Sequence, residues 1–192
     1  GWKKINNKWY YFKSNGIMST GWLNADNTWY YNLNDGSLVQ NSWLKLNDKF
    51  YYMRGSGSMA TGWREMDNAW YYFRSDGQCT FGWHKVGDVW YYFKSDGKMA
   101  TGWQLIDKSY YYFDSKGAMK TGWLNDGVNK YYMEAKDATH LGKMAYDWKY
   151  IDNSWYFFDQ EGHMLKGWAK NSSSFMYFDQ DGKLAVNTSL TI

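Results

Sequence analysis

Apolar and polar positions in this chain recur with a period of about 20 residues. Each period opens on a tryptophan, passes through a polar pair and a run of aromatic residues, and closes on a glycine followed two residues later by Met, Leu or Cys. Agreement between successive periods at these four positions predicts a repeat architecture. The opening tryptophans are Trp2, Trp22, Trp43, Trp63, Trp83, Trp103, Trp123, Trp148 and Trp168.

These tryptophans divide the chain into nine repeats with no separate domain expected between them. The seventh repeat is longer because it carries an insertion between Tyr132 and Gly142. Since the sequence starts on a repeat boundary without a charged and apolar leader, we expect a mature protein or an excised module. The repeats are 1–20, 21–41, 42–61, 62–81, 82–101, 102–121, 122–146, 147–166 and 167–192.

Each repeat predicts a β-hairpin. Two runs rich in aromatic and β-branched residues flank turn pairs such as Asn6-Asn7, Asp26-Asn27 and Gly87-Asp88. An isolated hairpin is marginally stable in water, so its apolar face must be covered by the next hairpin. The expected fold class is therefore all-β, a β-solenoid of stacked β-hairpins with about nine repeats of some 20 residues.

Alternation along the strands assigns the side chains to two faces. A two-residue turn pairs Ile5 with Lys8 and makes Trp2 and Trp9 diagonal neighbours. The Ile5 position is apolar in most repeats and is expected to be core. A three-residue turn would reverse this assignment. The predicted faces are Trp2, Trp9 and Tyr11 on one side, and Ile5, Tyr10 and Phe12 on the other.

The aromatic content favours a binding role. The chain holds 14 Trp, 19 Tyr and 10 Phe, although Leu or Val would fill a core as well. Two indoles from one repeat and a Tyr from the next form an electron-rich box that suits a quaternary ammonium group. Planar rings also stack on sugars, so carbohydrate is the rival ligand, and a purely structural spacer is the third possibility.

Other functions find little support. The net charge of +3 is too small to indicate nucleic acid, no run of apolar residues is long enough to cross a membrane, and Cys79 is the single cysteine. His84, His140 and His163 lie in different repeats, which does not predict a metal site. Lys and Arg are interspersed with Asp and Glu, which is typical of solvated faces. We expect a non-catalytic module without a cofactor, either alone or as the anchor of a larger cell-wall hydrolase.

The pattern Gly-Trp-x6-Trp-Tyr-Tyr-Phe-x3-Gly-x-Met-x-Thr-Gly-Trp resembles the choline-binding repeat of Gram-positive surface proteins. This resemblance covers essentially the whole chain. It implies a left-handed superhelix of hairpins, with choline held between consecutive repeats by two Trp, a Tyr from the next hairpin and a Met. The implied partner is the phosphocholine of teichoic and lipoteichoic acids, and the implied location is the extracellular bacterial cell surface. The resemblance also leaves room for choline-induced self-association. A related family of glucan-binding repeats is poorer in paired Trp.

Carried over repeat by repeat, the family pattern predicts four complete choline-binding cages. The first Tyr of each Tyr-Tyr pair is chosen because it points toward the preceding repeat, and the second Tyr is the alternative. The cages are Trp2, Trp9 and Tyr30; Trp22, Trp29 and Tyr51; Trp63, Trp70 and Tyr91; and Trp83, Trp90 and Tyr111. The expected apolar walls are Met18, Leu38, Cys79 and Met99.

The remaining repeats depart from the pattern and give weaker candidates. Trp168 and Phe175 are expected to cap the C-terminal end. The weaker candidates are Trp43 with Phe50 and Tyr71, Trp103 with Tyr110 and Tyr131, and Trp148 with Trp155.

The seventh repeat is expected to lack a site. Lys130 stands where the second ring belongs, and its ammonium would repel a quaternary cation. The insertion 134–141 is further expected to move Tyr156 away from Trp123.

Overall fold

The computed structural model describes residues 1–172 and 174–186. All regular secondary structure in this part of the chain is β, and consecutive strands pair two by two into nine antiparallel hairpins. The expected all-β fold of hairpin repeats is confirmed. The strands are β1 (Trp2–Ile5), β2 (Lys8–Tyr11), β3 (Gly21–Ala25), β4 (Thr28–Asn32), β5 (Ser42–Leu46), β6 (Lys49–Met53), β7 (Gly62–Met66), β8 (Ala69–Phe73), β9 (Gly82–Val86), β10 (Val89–Phe93), β11 (Gly102–Ile106), β12 (Ser109–Phe113), β13 (Gly122–Asn125), β14 (Lys130–Met133), β15 (Asp147–Ile151), β16 (Ser154–Phe158), β17 (Gly167–Lys170) and β18 (Phe175–Phe178).

Two-residue turns set the hairpin register. In repeat 1, Asn6 and Asn7 have φ of +47° and +63°, as the favoured hairpin turn requires, and Asn tolerates this conformation better than most residues. Ile5 therefore pairs with Lys8, and Trp2 pairs with Tyr11. The predicted division of side chains between two faces is confirmed.

Backbone hydrogen bonds tie each repeat to the one before it. The amide of Leu38 donates to the carbonyl of Trp9 at 2.8 Å, and the amide of Met59 donates to that of Trp29 at 2.7 Å. The turn glycines complete the contact: a Cβ on Gly77, where φ is +80°, would lie 2.1 Å from the sulfur of Met59. Only glycine allows this backbone conformation and this approach without displacing the methionine.

The chain divides into two compact units. The first comprises Gly1–His84 and Tyr92–Met99, and the second comprises Lys85–Tyr91 and the described residues from Ala100 onward. Each unit has its own buried clusters. One cluster in the first unit is Ala60, Tyr71, Phe73 and Cys79, and one in the second is Tyr132, Ala145, Ile151, Tyr156, Phe158 and Met164.

The inner face agrees with the prediction at most positions. Ala25, Ile106 and Ile151 are buried, as expected, whereas the equivalent Ile5 is 46% exposed. Leu46, Met66 and Val86 are half-buried. Asn32 was not anticipated. It occupies the position that is Phe, or Met, in the other repeats; it is fully buried, and its amide donates to the carbonyl of Ser19 at 3.1 Å.

The insertion in repeat 7 folds upon itself without breaking the repeat. Within it, the amide of His140 donates to the carbonyl of Asp137, and the amide of Gly142 donates back to the carbonyl of Glu134 at 2.8 Å. Met144 then resumes the ordinary position and donates its amide to the carbonyl of Tyr110. Repeat 7 therefore keeps the hydrogen bond by which the other repeats stack on the preceding one, despite its extra residues.

Burial predicts which aromatic rings carry the stability. Phe73→Ala should lower the free energy of unfolding by about 3–5 kcal/mol, because a ring with no exposed surface leaves a cavity. Trp70→Ala, in the same strand, removes a ring that is 41% exposed and should cost clearly less. Chemical denaturation of both variants measures the difference. Equal losses would contradict the assignment of the two faces.

Candidate functional site

Two aromatic contacts flank the opening tryptophan of a repeat. The Trp2 ring packs edge to face against Tyr11 of its own hairpin at 5.0 Å and against Tyr30 of the next hairpin at 4.9 Å between ring centroids. The first Tyr of each pair thus reaches back to the preceding repeat, and the second Tyr stays with its own. Equivalent contacts across repeats are Trp22 with Tyr51 and Trp103 with Tyr131, both at 4.9 Å.

The second cage is an open cavity of about 350 Å³. Trp22 and Trp29 form two of its walls, with ring centroids 6.2 Å apart and planes nearly perpendicular at 88°. Trp22 and Trp29 are 37% and 45% exposed, so part of each ring faces solvent rather than the core. The lining residues are Trp22, Trp29, Tyr51, Met59, Ser75, Asp76 and Gln78.

The apolar wall of this cavity comes from a different repeat than expected. The sequence pattern assigned Leu38, which belongs to the same repeat as Trp22, whereas the cavity uses Met59 from the next repeat. The reason is the hydrogen bond from Met59 to the carbonyl of Trp29, which brings the next turn onto the tryptophan. In this cavity the wall residue therefore comes from one repeat later than the sequence pattern assigned.

The same hydrogen bond recurs at the other predicted wall residues. The amides of Leu38, Cys79 and Met99 donate to the carbonyls of Trp9, Phe50 and Trp70, respectively. Met18 does not take part in such a bond among the described residues and lies instead against Gly36.

A third repeat contributes a carboxylate, which was not predicted from the sequence. Asp76 lies in a turn, where its carboxylate accepts the backbone amide of Gln78 at 3.0 Å and the side-chain nitrogen of Gln78 at 2.8 Å. The turn also lines the cavity. Burial raises the pKa of Tyr51, and the charge of Asp76 raises it further, as a nearby carboxylate does.

The structure also places the members of the other three cages that the sequence predicts as complete. Strand pairing makes Trp9 a diagonal neighbour of Trp2, and its ring is 36% exposed. Trp63 and Trp70 stand 6.2 Å apart at 77°, which repeats the geometry of the second cage. Trp83 lies in the first compact unit, whereas the remaining predicted members lie in the second. Those members are Trp90, Tyr91 and Tyr111.

The weaker candidates keep part of the arrangement. Trp43 contacts Tyr71 at 5.4 Å, but Phe50 packs against Phe81 at 5.7 Å and carries the Lys45 ammonium 5.4 Å above its ring. In the second weaker candidate, Trp103 contacts Tyr131, and Tyr110 is exposed. In the third, the ring centroids of Trp148 and Trp155 are 6.3 Å apart. Trp168 and Phe175, the predicted cap, are 60% and 69% exposed.

Repeat 7 corrects one expectation. Tyr156 was expected to be displaced, yet it contacts Trp123 at 4.9 Å, because the insertion folds upon itself. The missing ring is replaced by a cation: the Lys130 ammonium lies 5.4 Å from the centroid of Trp123. The protein thus fills this cage with its own positive charge.

A group of possible metal ligands lies in the turn of repeat 8. Asp159, Glu161 and His163 each place one ligand atom within 4.8 Å of the others. The carboxylate of Asp159 accepts the amides of Glu161 and His163 at 3.0 and 2.8 Å. These bonds account for the cluster as turn geometry.

Known families of repeats match most of the chain. The sequence profile of the choline-binding repeat matches residues 1–43, 80–107, 100–138 and 145–189, and a cell wall binding repeat profile matches residues 41–59 and 61–79. The chain belongs to the choline-binding repeat family. Among curated protein sequences, none matches the chain.

Solved structures of pneumococcal proteins are similar to this chain. CbpJ from Streptococcus pneumoniae is 32% identical with a TM-score of 0.85, over 93% of this chain. The chain spans 62% of the length of CbpJ. The choline-binding domain of CbpL, also from Streptococcus pneumoniae, is 32% identical with a TM-score of 0.64, over 88% of each chain. Choline-binding protein F of the same organism, in complex with ipratropium, is 26% identical with a TM-score of 0.69, over 98% of this chain and 88% of that one.

Within the described residues, no helix is both long and apolar enough to cross a membrane.

The position of the Lys130 ammonium in repeat 7 leads to a prediction about the number of choline sites. Lys130→Trp should add one choline site per chain, because it removes the internal cation and restores the second ring beside Trp123 and Tyr156. Equilibrium dialysis with labelled choline measures the number of sites.

Lys130→Gln is the matched control, since it removes the charge without adding a ring, and it should add no site. An unchanged stoichiometry for Lys130→Trp would contradict the explanation, and so would an equal gain for Lys130→Gln.

Proposed function

We propose that this chain is a non-catalytic module that holds choline head groups in aromatic cages between successive repeats. Through them it attaches to the phosphocholine of teichoic and lipoteichoic acids at a bacterial cell surface. The observation that carries the proposal is the cavity between Trp22, Trp29 and Tyr51, with Met59 and Asp76 at its edge.

The lining of this cavity favours a cation over a sugar. Three aromatic rings offer their electron-rich faces to a quaternary ammonium group. The negative charge of the Asp76 carboxylate adds to the attraction for this cation. A sugar needs donors and acceptors for its hydroxyl groups. Here two of the polar residues, Asp76 and Gln78, already bond to each other.

The ligand of one relative agrees with this preference. Choline-binding protein F has been solved with ipratropium, which is a quaternary ammonium compound. A cage that accepts such a group has the same chemistry as the one proposed here, since a methylated ammonium presents a large, weakly hydrated cation to the rings.

Attachment is proposed to depend on several cages at once. A well-placed ring contributes about 0.5–2 kcal/mol to binding a cation, so an open cage is expected to bind choline with a Kd of order millimolar, roughly −4 kcal/mol. A polymer with repeated phosphocholine groups would engage several cages, and the effective concentration of the later groups would raise the overall affinity.

The charge of the ligand provides the direct test. Choline should shift the indole N–H resonances of Trp22 and Trp29, whereas 3,3-dimethyl-1-butanol, its neutral isostere, should bind about tenfold more weakly because the cation–π attraction is lost. Binding of the isostere or of glucose oligomers with the affinity of choline would refute a cation-selective cage.

Asp76 provides the second test. Asp76→Asn should weaken choline binding at Trp22 and Trp29 by about threefold to fivefold, the effect of one carboxylate at close range in a wet site. Asp88→Asn is the matched control, because that carboxylate is fully exposed and pairs with Lys85. Equal effects of both variants at the indole resonances would show that Asp76 has no special role.

A further inference from the structure

Within the described part of the chain, one position of the repeat is aromatic only where the second cage ring is Phe or Tyr instead of Trp. The position lies two residues after the Met, Leu or Cys whose amide bonds to the carbonyl of that second ring. Beside Phe50 and Tyr110 it is Phe81 and Tyr146, respectively. Beside the tryptophans it is Gln40, Thr61, Thr101, Thr121 and Val186. The chain thus adds a ring in the two repeats where a smaller ring stands in place of an indole.

Phe81 joins the rings of the cage in repeat 3. The ring centroids of Phe81 and Phe50 are 5.7 Å apart, and the ring planes meet at 66°. A Cβ at Gly97 would lie 3.4 Å from Cδ1 of Tyr71 and 3.5 Å from Cε1 of Phe81, so both rings border this glycine. Tyr71 in turn contacts Trp43 at 5.4 Å. Rings from two successive repeats therefore form one group.

This group is open to solvent. Phe81 and Trp43 are 41% and 42% exposed, whereas Phe73 in the same compact unit is fully buried. A ring that remains exposed gains only part of the stabilisation that burial provides. A cluster of exposed rings is instead typical of a binding surface.

Two backbone hydrogen bonds hold the segment that carries Phe81 against the repeat before it. The Cys79 amide donates to the carbonyl of Phe50 at 2.7 Å, and the Thr80 amide donates to that of Tyr72 at 2.9 Å. The residue that follows is Phe81. These bonds therefore explain why this position of the repeat reaches the second ring of a cage.

Tyr146 has the same backbone placement in the second compact unit. The Met144 amide donates to the carbonyl of Tyr110, and the Ala145 amide donates to that of Tyr132, both at 2.8 Å. Burial raises the pKa of Tyr146, and the charge of Tyr110 raises it further, as expected of neighbouring hydroxyl groups. Tyr146 is half-exposed and borders a cavity of about 420 Å³, so its ring is accessible to a ligand.

We propose that Phe81 is a choline-binding residue that completes the cage of repeat 3, and that Tyr146 has the same role in repeat 6. A quaternary ammonium group is attracted to the faces of Phe and Tyr as well as Trp, although Trp attracts it most. The added ring offers a further electron-rich surface where the indole is missing. This inference rests on the proposed function and deepens it, because it identifies two sites outside the four cages that the sequence predicts as complete.

Two cations near the cage of repeat 3 do not exclude choline. The Lys45 ammonium lies 5.4 Å from the ring centroid of Phe50, and it pairs with the Asp48 carboxylate at 3.1 Å. In the turn of repeat 5, the Lys98 ammonium pairs with the Asp96 carboxylate, also at 3.1 Å. Each pair has no net charge, so its repulsion of a choline cation is small.

Titration of the whole chain with choline tests the role of Phe81, with the indole N–H resonance of Trp43 as the readout. Phe81→Thr, which installs a residue found beside the tryptophans, should weaken binding at Trp43 about fivefold, the effect of one lost ring. Phe81→Leu should weaken it as much, since leucine keeps apolar bulk but has no electron-rich face. A lowered Tm with unchanged affinity in both variants would mean that Phe81 only packs against Phe50, and would overturn the proposal.

The reciprocal exchange makes the test specific. Phe50→Trp/Phe81→Thr recreates the ordinary pair of residues and should bind choline at Trp43 within about twofold of the unmodified chain. Thr101→Phe is the matched control, because it adds a ring beside Trp70, where an indole already stands, and it should not strengthen binding there. A double variant as weak as Phe81→Thr alone would overturn the proposal, and so would stronger binding in the control.

The same comparison applies to repeat 6, read at the Trp103 resonance. Tyr146→Thr should weaken choline binding about fivefold, and Tyr110→Trp/Tyr146→Thr should restore it. Unchanged binding in Tyr146→Thr would refute the role of Tyr146.

The resonances of Trp22 and Trp29 in the same samples separate this inference from the proposed function. Choline shifts at these two tryptophans without a shift at Trp43 or Trp103 would overturn this inference alone. If no tryptophan resonance shifts, both proposals fail.

Discussion

The interaction on which this structure depends is the hydrogen bond from the Met-position amide of one repeat to the Trp-position carbonyl of the preceding repeat. In the first compact unit it joins Met59 to Trp29 and Met99 to Trp70. A hairpin alone has too small an apolar face to be stable. Strand alternation puts Phe73 and Trp70 on opposite sides of one strand. The bond between repeats fixes where the next hairpin lies, and of these two rings Phe73 is buried and Trp70 is half-exposed.

The cages are a consequence of this stacking. The bond joins each repeat to the one before it, so residues of successive repeats meet in one cavity. The cavity at Trp22 takes its two indoles from one hairpin and its Tyr and Met from the next. Its carboxylate, that of Asp76, comes from the turn of the repeat after that. A single side-chain change therefore alters one cage, although each repeat contributes residues to as many as three. Lys130 shows the consequence, since it replaces a ring and places its own ammonium over Trp123. The stacking itself tolerates the change.

The sequence predicts whatever lies within one repeat or one step away. The hairpins, the pairing of Ile5 with Lys8 and the approach of Tyr30 to Trp2 are all consequences of strand alternation. Contacts between residues two repeats apart are not predictable in this way, because they depend on the position of each turn relative to the hairpins before it. For that reason the sequence does not reveal that Asp76 lines the cavity, and its pattern places the apolar wall one repeat too early.

The position of Tyr156 could not be predicted from the sequence for a different reason. The displacement of Tyr156 was expected because an insertion normally shifts the residues after it, but local hydrogen bonds at Glu134 and Gly142 close this one upon itself.

The central claim is that rings from consecutive repeats form cages for a quaternary cation, and a crystal soaked in choline tests it most directly. The account predicts choline density between Trp22, Trp29 and Tyr51, with the ammonium facing Asp76, and no choline beside Trp123, where the Lys130 ammonium already lies. An empty Trp22 cage, or a well-ordered choline displacing Lys130 from Trp123, would contradict it.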